Sequence, residues 1–296
     1  MTFPPGARRG GPGAFAVRQA RAERLLAAPG GGGGAAGPLA LMAAVLRHQA
    51  GRAGSPPVQD AVAAVTAGAE LRLAAGRFPL LDLAAAVPPV AAEIPPAVSA
   101  LAGAALPDQL GAAGAALRDA VDAERAGLVE AWLEDALGVE AVLGFWVRVA
   151  AGPILEGARA GIATPDRDAW TGAACPACGG SAQVSVIAEE SGEFMGGSPR
   201  SLVCGRCAGW WTFPRAVCAW CSESDPNRLP SFVPHGRRAV RIDGCEHCGH
   251  YVKTFDLREP GAAELVPLVD DVATVSLDLW ARDQGLARPL VSLAGV

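Results

Sequence analysis

Lysine is almost missing from this 296-residue chain: 24 of its 25 basic residues are arginine, and Lys253 is the single exception. Such a skew fits a GC-rich coding bias better than a selected nucleic-acid surface. Acidic residues outnumber basic ones, 30 to 25, and the net charge is −5. Around the cysteines the two signs nearly balance, so the electrostatic footprint of a DNA or RNA binder is missing and no nucleic-acid partner is expected. No apolar run reads as a membrane span, because the candidate near Ala97–Leu117 is alanine-rich and interrupted by Pro107, Asp108 and Gln109. No membrane insertion is expected. Arg8 and Arg9 could open a twin-arginine signal, yet Gly-Gly-Pro-Gly and a stretch carrying Arg18, Arg21, Glu23 and Arg24 follow in place of an apolar segment. A phosphate-cradling loop, a nucleophile elbow and a paired-histidine metal motif are absent too; Gly30–Gly34 lacks the Lys-Ser/Thr that a phosphate loop needs, and His48 has no catalytic partner in sequence. These absences point away from an enzyme.

No cysteine stands alone. All eight fall into four Cys-x-x-Cys pairs, Cys175/Cys178, Cys204/Cys207, Cys218/Cys221 and Cys245/Cys248. A two-residue gap lets one tight turn aim both sulfurs at one ion, and a second turn completes a tetrahedron. Eight thiols therefore suit two four-thiolate metal sites. The first two pairs enclose 25 residues and the last two 23, close to the spacing of zinc-ribbon and rubredoxin-like sites. Spacing favours sequential pairing and leaves open an interleaved one, first with third and second with fourth. Gly179 and Gly249 follow the first and last pairs and can take the positive φ of a knuckle, whereas Ala208 and Ser222 follow the middle pairs and suit it less well. A disulfide framework needs an oxidising compartment and a very small chain. A thioredoxin-type dithiol uses one such pair, and iron–sulfur clusters use uneven spacings. An ion enclosed by four thiolates has no open position for substrate, so each site should hold a fold together. Zinc and iron both accept tetrahedral sulfur. A reducing cytoplasm, the expected location, keeps the thiols free for metal.

The rest of the chain divides around this region. Residues 1 to about 14 are rich in Pro, Gly and Arg and read as flexible. Helical spacing predicts a helix from Phe15 to Leu26, a break at Gly30–Gly34, and a second helix carrying Leu39, Met42, Ala43 and Leu46 that ends near Ser55–Pro57. Further helices are expected over Val58–Ala75, Pro96–Ala105, Asp108–Ala136 and Val139–Ala150, with a linker at Thr164–Asp168. From Trp170 the composition changes, and Ala182–Ile187, Trp210–Phe213 and Ala239–Ile242 read as strands between knuckles. After Asp256 the helical pattern returns, with Leu268, Val272, Val275 and Leu279 on one face, in a tail long enough to lie across the modules. The expected fold class is multidomain α plus small β: an all-α N-terminal domain (1–165), a first metal module (166–213), a second (214–258) and a C-terminal helical tail (259–296).

Trp210, Trp211, Phe213 and Trp220 suit the thin core of a ribbon, with a peptide-binding surface as the alternative. Arg206, Arg215, Arg237, Arg238 and Arg241 suit local compensation of thiolate charge. His235, His247 and His250 are not needed as ligands. Asp270 and Asp271 suit the N-terminal dipole of the last helix.

Cys-Pro-Ala-Cys-Gly at 175–179, Ser-Leu-Val-Cys-Gly-Arg-Cys-Ala-Gly-Trp at 201–210, Cys-Ala-Trp-Cys at 218–221, Cys-Glu-His-Cys-Gly-His-Tyr-Val-Lys at 245–253 and Val-Asp-Asp-Val-Ala at 269–273 together resemble the formate dehydrogenase accessory protein family, FdhE. Ala-Glu-Arg-Leu at 22–25 adds a weaker likeness. The resemblance implies an all-α N-terminal domain followed by two rubredoxin-like modules, with iron as the metal. It also implies a cytoplasmic maturation factor whose partner is the catalytic subunit of respiratory formate dehydrogenase. The alternatives are an iron rubredoxin-like electron-transfer protein and a tandem zinc-ribbon nucleic-acid binder; self-association stays open.

Overall fold

The computed structural model describes residues 12–166, 168–188 and 200–290. Residues 1–11 of the stretch read as flexible lie outside them, and α1 begins at Pro12. Eight helices precede the cysteine region: α1 (Pro12–Ala27), α2 (Ala36–Ala53), α3 (Pro56–Thr66), α4 (Ala69–Ala74), α5 (Leu83–Leu101), α6 (Asp108–Asp119), α7 (Asp122–Glu134) and α8 (Ala141–Ala160). The expected Val58–Ala75 helix is two, broken where Gly68 takes φ 74°. Asp108–Ala136 is also two: Ala120 and Val121 are extended, and Val121 is exposed. A helical spacing that continues in register across a break hides the break, because a turn of two residues barely changes the pattern.

The prolines of α5 do not break it. It begins at Leu83, capped by the Asp82 carboxylate accepting from the Ala85 N–H, and contains Pro88, Pro89, Pro95 and Pro96. Each proline removes a backbone donor. The helix persists because Val90, Ile94, Val98 and Leu101 are buried in the main core beside α3, α7 and α8. The last helix also runs further than expected, through Gly152 and Pro153 to Ala160. By length and composition alone, α5 and α8 are both long and apolar enough to cross a membrane, which corrects the expectation that no such stretch exists. The protein's own interior covers 61% of the apolar window of α8 and 39% of that of α5. Arginine supplies many of the polar ties between helices: Arg18 pairs with Glu156 of α8, and Arg52 lies 2.6 Å from Glu93 of α5.

Beyond the helices, six strands form one sheet: β1 (Ala182–Ile187), β2 (Arg200–Cys204), β3 (Trp210–Phe213), β4 (Ser231–Phe232), β5 (Val240–Gly244) and β6 (Tyr251–Asp256), in the order β3-β2-β1-β6-β5-β4. Every pairing is antiparallel except β1 with β6, which joins three strands from the first cysteine region to three from the second. Because side chains alternate along a strand, the register sorts the two faces. Val184, Val186, Val203, Val240 and Phe255 share one face and pack with Leu265, Leu268 and Leu277. Arg200, Leu202, Trp211, Phe213, Arg241 and Asp243 occupy the other.

The C-terminal tail is broken at Thr274 into α9 (Pro267–Ala273) and α10 (Val275–Asp283), so Leu279 does not continue the buried face and is exposed. Val269 and Val272 close a core with Phe15, Leu39, Met42 and Leu46 of α1 and α2. Asp270 does sit in the first turn of α9 and accepts the Val266 N–H, yet it also pairs with Arg21 of α1 at 2.6 Å. Asp271 is not a dipole partner at the surface; it is 1% exposed and ion-paired inside the molecule.

Candidate metal centres

Each of the four knuckles folds the same way, and the reason is local. The N–H of the first cysteine donates to the carbonyl five residues on: Cys175 to Gly180, Cys204 to Gly209, Cys218 to Glu223 and Cys245 to His250, all at 2.8–2.9 Å. The residue after the second cysteine is left-handed in every case, Gly179 at φ 69°, Ala208 at 51°, Ser222 at 63° and Gly249 at 69°. Ala208 and Ser222 thus accept a backbone conformation that disfavours L-residues, and the middle knuckles are as well formed as the glycine ones. Backbone N–H groups reach the sulfurs, from Arg206 to Cys204 Sγ at 3.3 Å and from Trp220 to Cys218 Sγ at 3.4 Å.

The knuckles converge sequentially. Cys175, Cys178, Cys204 and Cys207 form one group and Cys218, Cys221, Cys245 and Cys248 another, with the sulfurs of each within 4.8 Å of one another. Cross-knuckle sulfur distances are 3.6 Å (Cys175–Cys207), 3.5 Å (Cys178–Cys204), 3.8 Å (Cys218–Cys248) and 3.6 Å (Cys221–Cys245). A tetrahedral ion with metal–sulfur bonds near 2.3 Å sets an edge of about 3.8 Å, so both donor sets fit such an ion. No histidine belongs to either group: His235 and His247 are exposed, the latter 3.1 Å from Glu223, and His250 stacks 5.1 Å from Trp220.

Four thiols this close share charge unevenly. Burial pushes the Cys175 thiol well above its ordinary value, and the neighbouring thiols, Cys175 first, push Cys207 up likewise. Burial works against ionising Cys204 as well, but hydrogen bonds from Cys175, Cys178 and Cys207 outweigh it and draw this thiol well down. A cation at the centre is the group that allows all four to ionise together.

The two centres differ in their surroundings. All four sulfur residues of the first are buried, within the same core as Val90, Trp132 and Trp146 of the helices. The N–H groups of Leu80 and Leu81, just before α5, donate to the Pro176 and Ala177 carbonyls inside the first knuckle. Arg206, read from sequence as a charge compensator, does something more specific. Its guanidinium donates to the Trp132 and Leu133 carbonyls at 2.7 and 2.8 Å and lies 5.0 Å over the Trp132 ring. Those carbonyls belong to the last turn of α7, which has no intrahelical donors left. The second knuckle therefore caps a helix. At the second centre Cys245 is buried, Cys218 and Cys248 are half-buried and Cys221 is exposed.

The aromatic residues divide similarly: Trp211, whose indole donates to the Gly172 carbonyl, and Phe213 fill the core, while Trp220 is 38% exposed. Sequence reading missed Arg200, buried on β2 and lining a cleft with Cys218 and Cys245, because a single arginine in a strand carries no local signal.

Residues 217–294 match the family model described as FdhE, C-terminal domain. The chain is 34% identical over 123 residues to the "Protein FdhE homolog" of Aquifex aeolicus, covering 42% of each chain, and 34% identical over 120 residues to that of Pseudomonas putida, covering 39% of this chain and 36% of the relative. The matched stretch thus spans about two fifths of the length of these curated relatives. The crystal structure of the FdhE protein from Pseudomonas aeruginosa superimposes with a TM-score of 0.68 over 97% of both chains at 23% identity. The likeness read from the cysteine motifs is thereby shown at the C-terminal end, and the fold is shared throughout.

Proposed function

We propose that this chain, FdhE-like in its C-terminal domain and in its fold, is a non-catalytic accessory factor for respiratory formate dehydrogenase that binds the catalytic subunit in the cytoplasm before export. The eight cysteines serve as the ligands of two ions, iron or zinc. In this reading residues 1–165 are the helical domain, 166–213 and 214–258 the two metal modules, and 259–296 the tail. The observation that carries it is the pair of complete four-sulfur sets, each with the dimensions of a closed tetrahedral site. When bound, such ions supply rigidity to folds too small to hold themselves. Co-purification from cells tests the proposal: the catalytic subunit should be recovered with the tagged chain. Its absence, with normal formate dehydrogenase activity in a deletion strain, refutes it.

A second reading, one-electron transfer through iron in these cages, draws on the exposure of Cys221. Ferric thiolate sites are coloured and zinc sites are not. A colourless, zinc-loaded protein that still supports maturation removes this reading.

A further inference from the structure

Residues 215–220 with Pro226, Leu229 and Ser231 wall a cleft of about 210 Å³ whose floor is the sheet face carrying Arg200, Arg241, Asp243 and Val252. Arg200 is only 4% exposed. Its Nε donates to Ser185 Oγ at 2.8 Å and its Nη1 to the carbonyls of Pro214, Arg215 and Val217 at 3.4, 3.4 and 3.0 Å. The Phe213 ring lies 5.7 Å from the guanidinium. All of these partners are neutral. Nη2 is buried with no hydrogen-bond partner, and among the described residues no carboxylate pairs with this arginine. Asp243 lines the same cleft, but Arg241 and Ser231 hold its Oδ1 and Thr254 its Oδ2.

Asp243 acts on this buried guanidinium only through space, so no contact ion pair offsets its burial, and an unmade bond from a charged donor adds to the penalty. An anion in the cleft, which Arg200 lines, supplies the contact charge that the guanidinium lacks. Arg215 borders the cleft from its exposed side and adds a second cation. The remaining wall includes Val217, Trp220 and Leu229, which suit a carbon chain. Cys218 and Cys245 border the cleft as well, and as metal-bound thiolates they repel a dianion more strongly than a monoanion. At this volume the cleft is smaller than pockets for drug-sized ligands, which start at about 300 Å³.

We propose that this cleft is a carboxylate-binding site, in which Arg200 and Arg215 take the carboxylate and Val217, Trp220 and Leu229 cover the carbons attached to it. The ligand is a small organic monoacid or the glutamate side chain of a partner segment.

Calorimetric titration of the full-length, metal-loaded protein with butyrate, butyramide and a capped Ala-Glu-Ala peptide tests it. Saturable binding of butyrate or the peptide, none of butyramide, and at least tenfold weaker binding in Arg200→Met and Arg215→Ala at unchanged metal content are expected. Butyrate alone assigns a free acid, and the peptide alone a partner's side chain. Arg215 is exposed, so Arg215→Ala keeps the test valid if Arg200→Met does not fold. Absence of saturable binding by both ligands overturns the proposal, as does butyramide binding like butyrate or unchanged affinity in the folded variants. Metal loss in Arg200→Met together with no carboxylate binding by the wild type assigns Arg200 to the metal centre, and also overturns it.

Discussion

Lys253 Nζ donates to Asp278 Oδ2 at 2.6 Å at a point where neither side chain meets solvent. Around this contact β6, α9, α10 and Arg288 lock together. Lys253 also lies 2.9 Å from Asp271 Oδ1 and donates to its carbonyl, and Arg288 reaches Asp271 at 2.7 Å and Asp278 at 3.0 Å. Tyr251 and Gln183 donate to the same two carboxylates. Two cations therefore face two anions, each further satisfied by neutral donors, which is the condition under which a buried ionic cluster holds a single geometry.

Removing one member should be severe. Lys253→Met should lower unfolding stability by about 3–5 kcal/mol, because it leaves carboxylates buried without their partner. Denaturant unfolding of the metal-loaded protein measures this; a loss within error of zero would show that the cluster contributes nothing.

The same cluster fixes a pH dependence. Burial alone would raise the Asp271 carboxyl, but Arg288 and then Lys253 hold it down at about 2, below the ordinary 3.8. A depressed carboxylate stabilises the fold fully above its unfolded value, and the contribution falls away as pH drops from about 4 towards 2. The stability difference between wild type and Asp271→Asn should accordingly be constant above pH 5 and shrink below pH 4. Comparing the two proteins cancels the acid sensitivity of the thiolates themselves.

Ligand exposure should order metal release. With Cys221 exposed and Cys218 and Cys248 half-buried, a chelator can attack the second centre without the fold opening, whereas the first lies inside the core. Stopped-flow release to a chromogenic chelator should be biphasic, with one equivalent leaving at least tenfold faster. Cys221→Ser should abolish the fast phase and Cys178→Ser the slow one; the opposite assignment would contradict the burial argument.

Left-handed Ala208 and Ser222 make the middle knuckles replaceable by glycine. Ala208→Gly and Ser222→Gly should each raise stability by up to about 1 kcal/mol, since strain at positive φ is relieved at the expense of unfolded-chain entropy. Thermal unfolding at fixed metal content checks the sign.

Much of the candidate site was legible because its signal is local. Two cysteines three positions apart belong to one turn wherever that turn ends up, and strands such as Ala182–Ile187 and Trp210–Phe213 carry their alternation with them. Helix limits were less legible. The break at Ala120–Val121 preserves the apolar spacing on both sides, and the prolines of α5 signal an end that buried contacts with α3, α7 and α8 override.

Sequence alone decided that four paired thiols would form knuckles and that a helical half would precede them, since turn geometry and periodicity act within a few residues. Which knuckles meet, why one centre is enclosed and the other open, and how Arg206, Lys253 and Arg200 find partners or lack them were decided only by the tertiary structure. Those contacts join residues as far apart as Arg206 and Trp132, and no local pattern records a distance closed by packing.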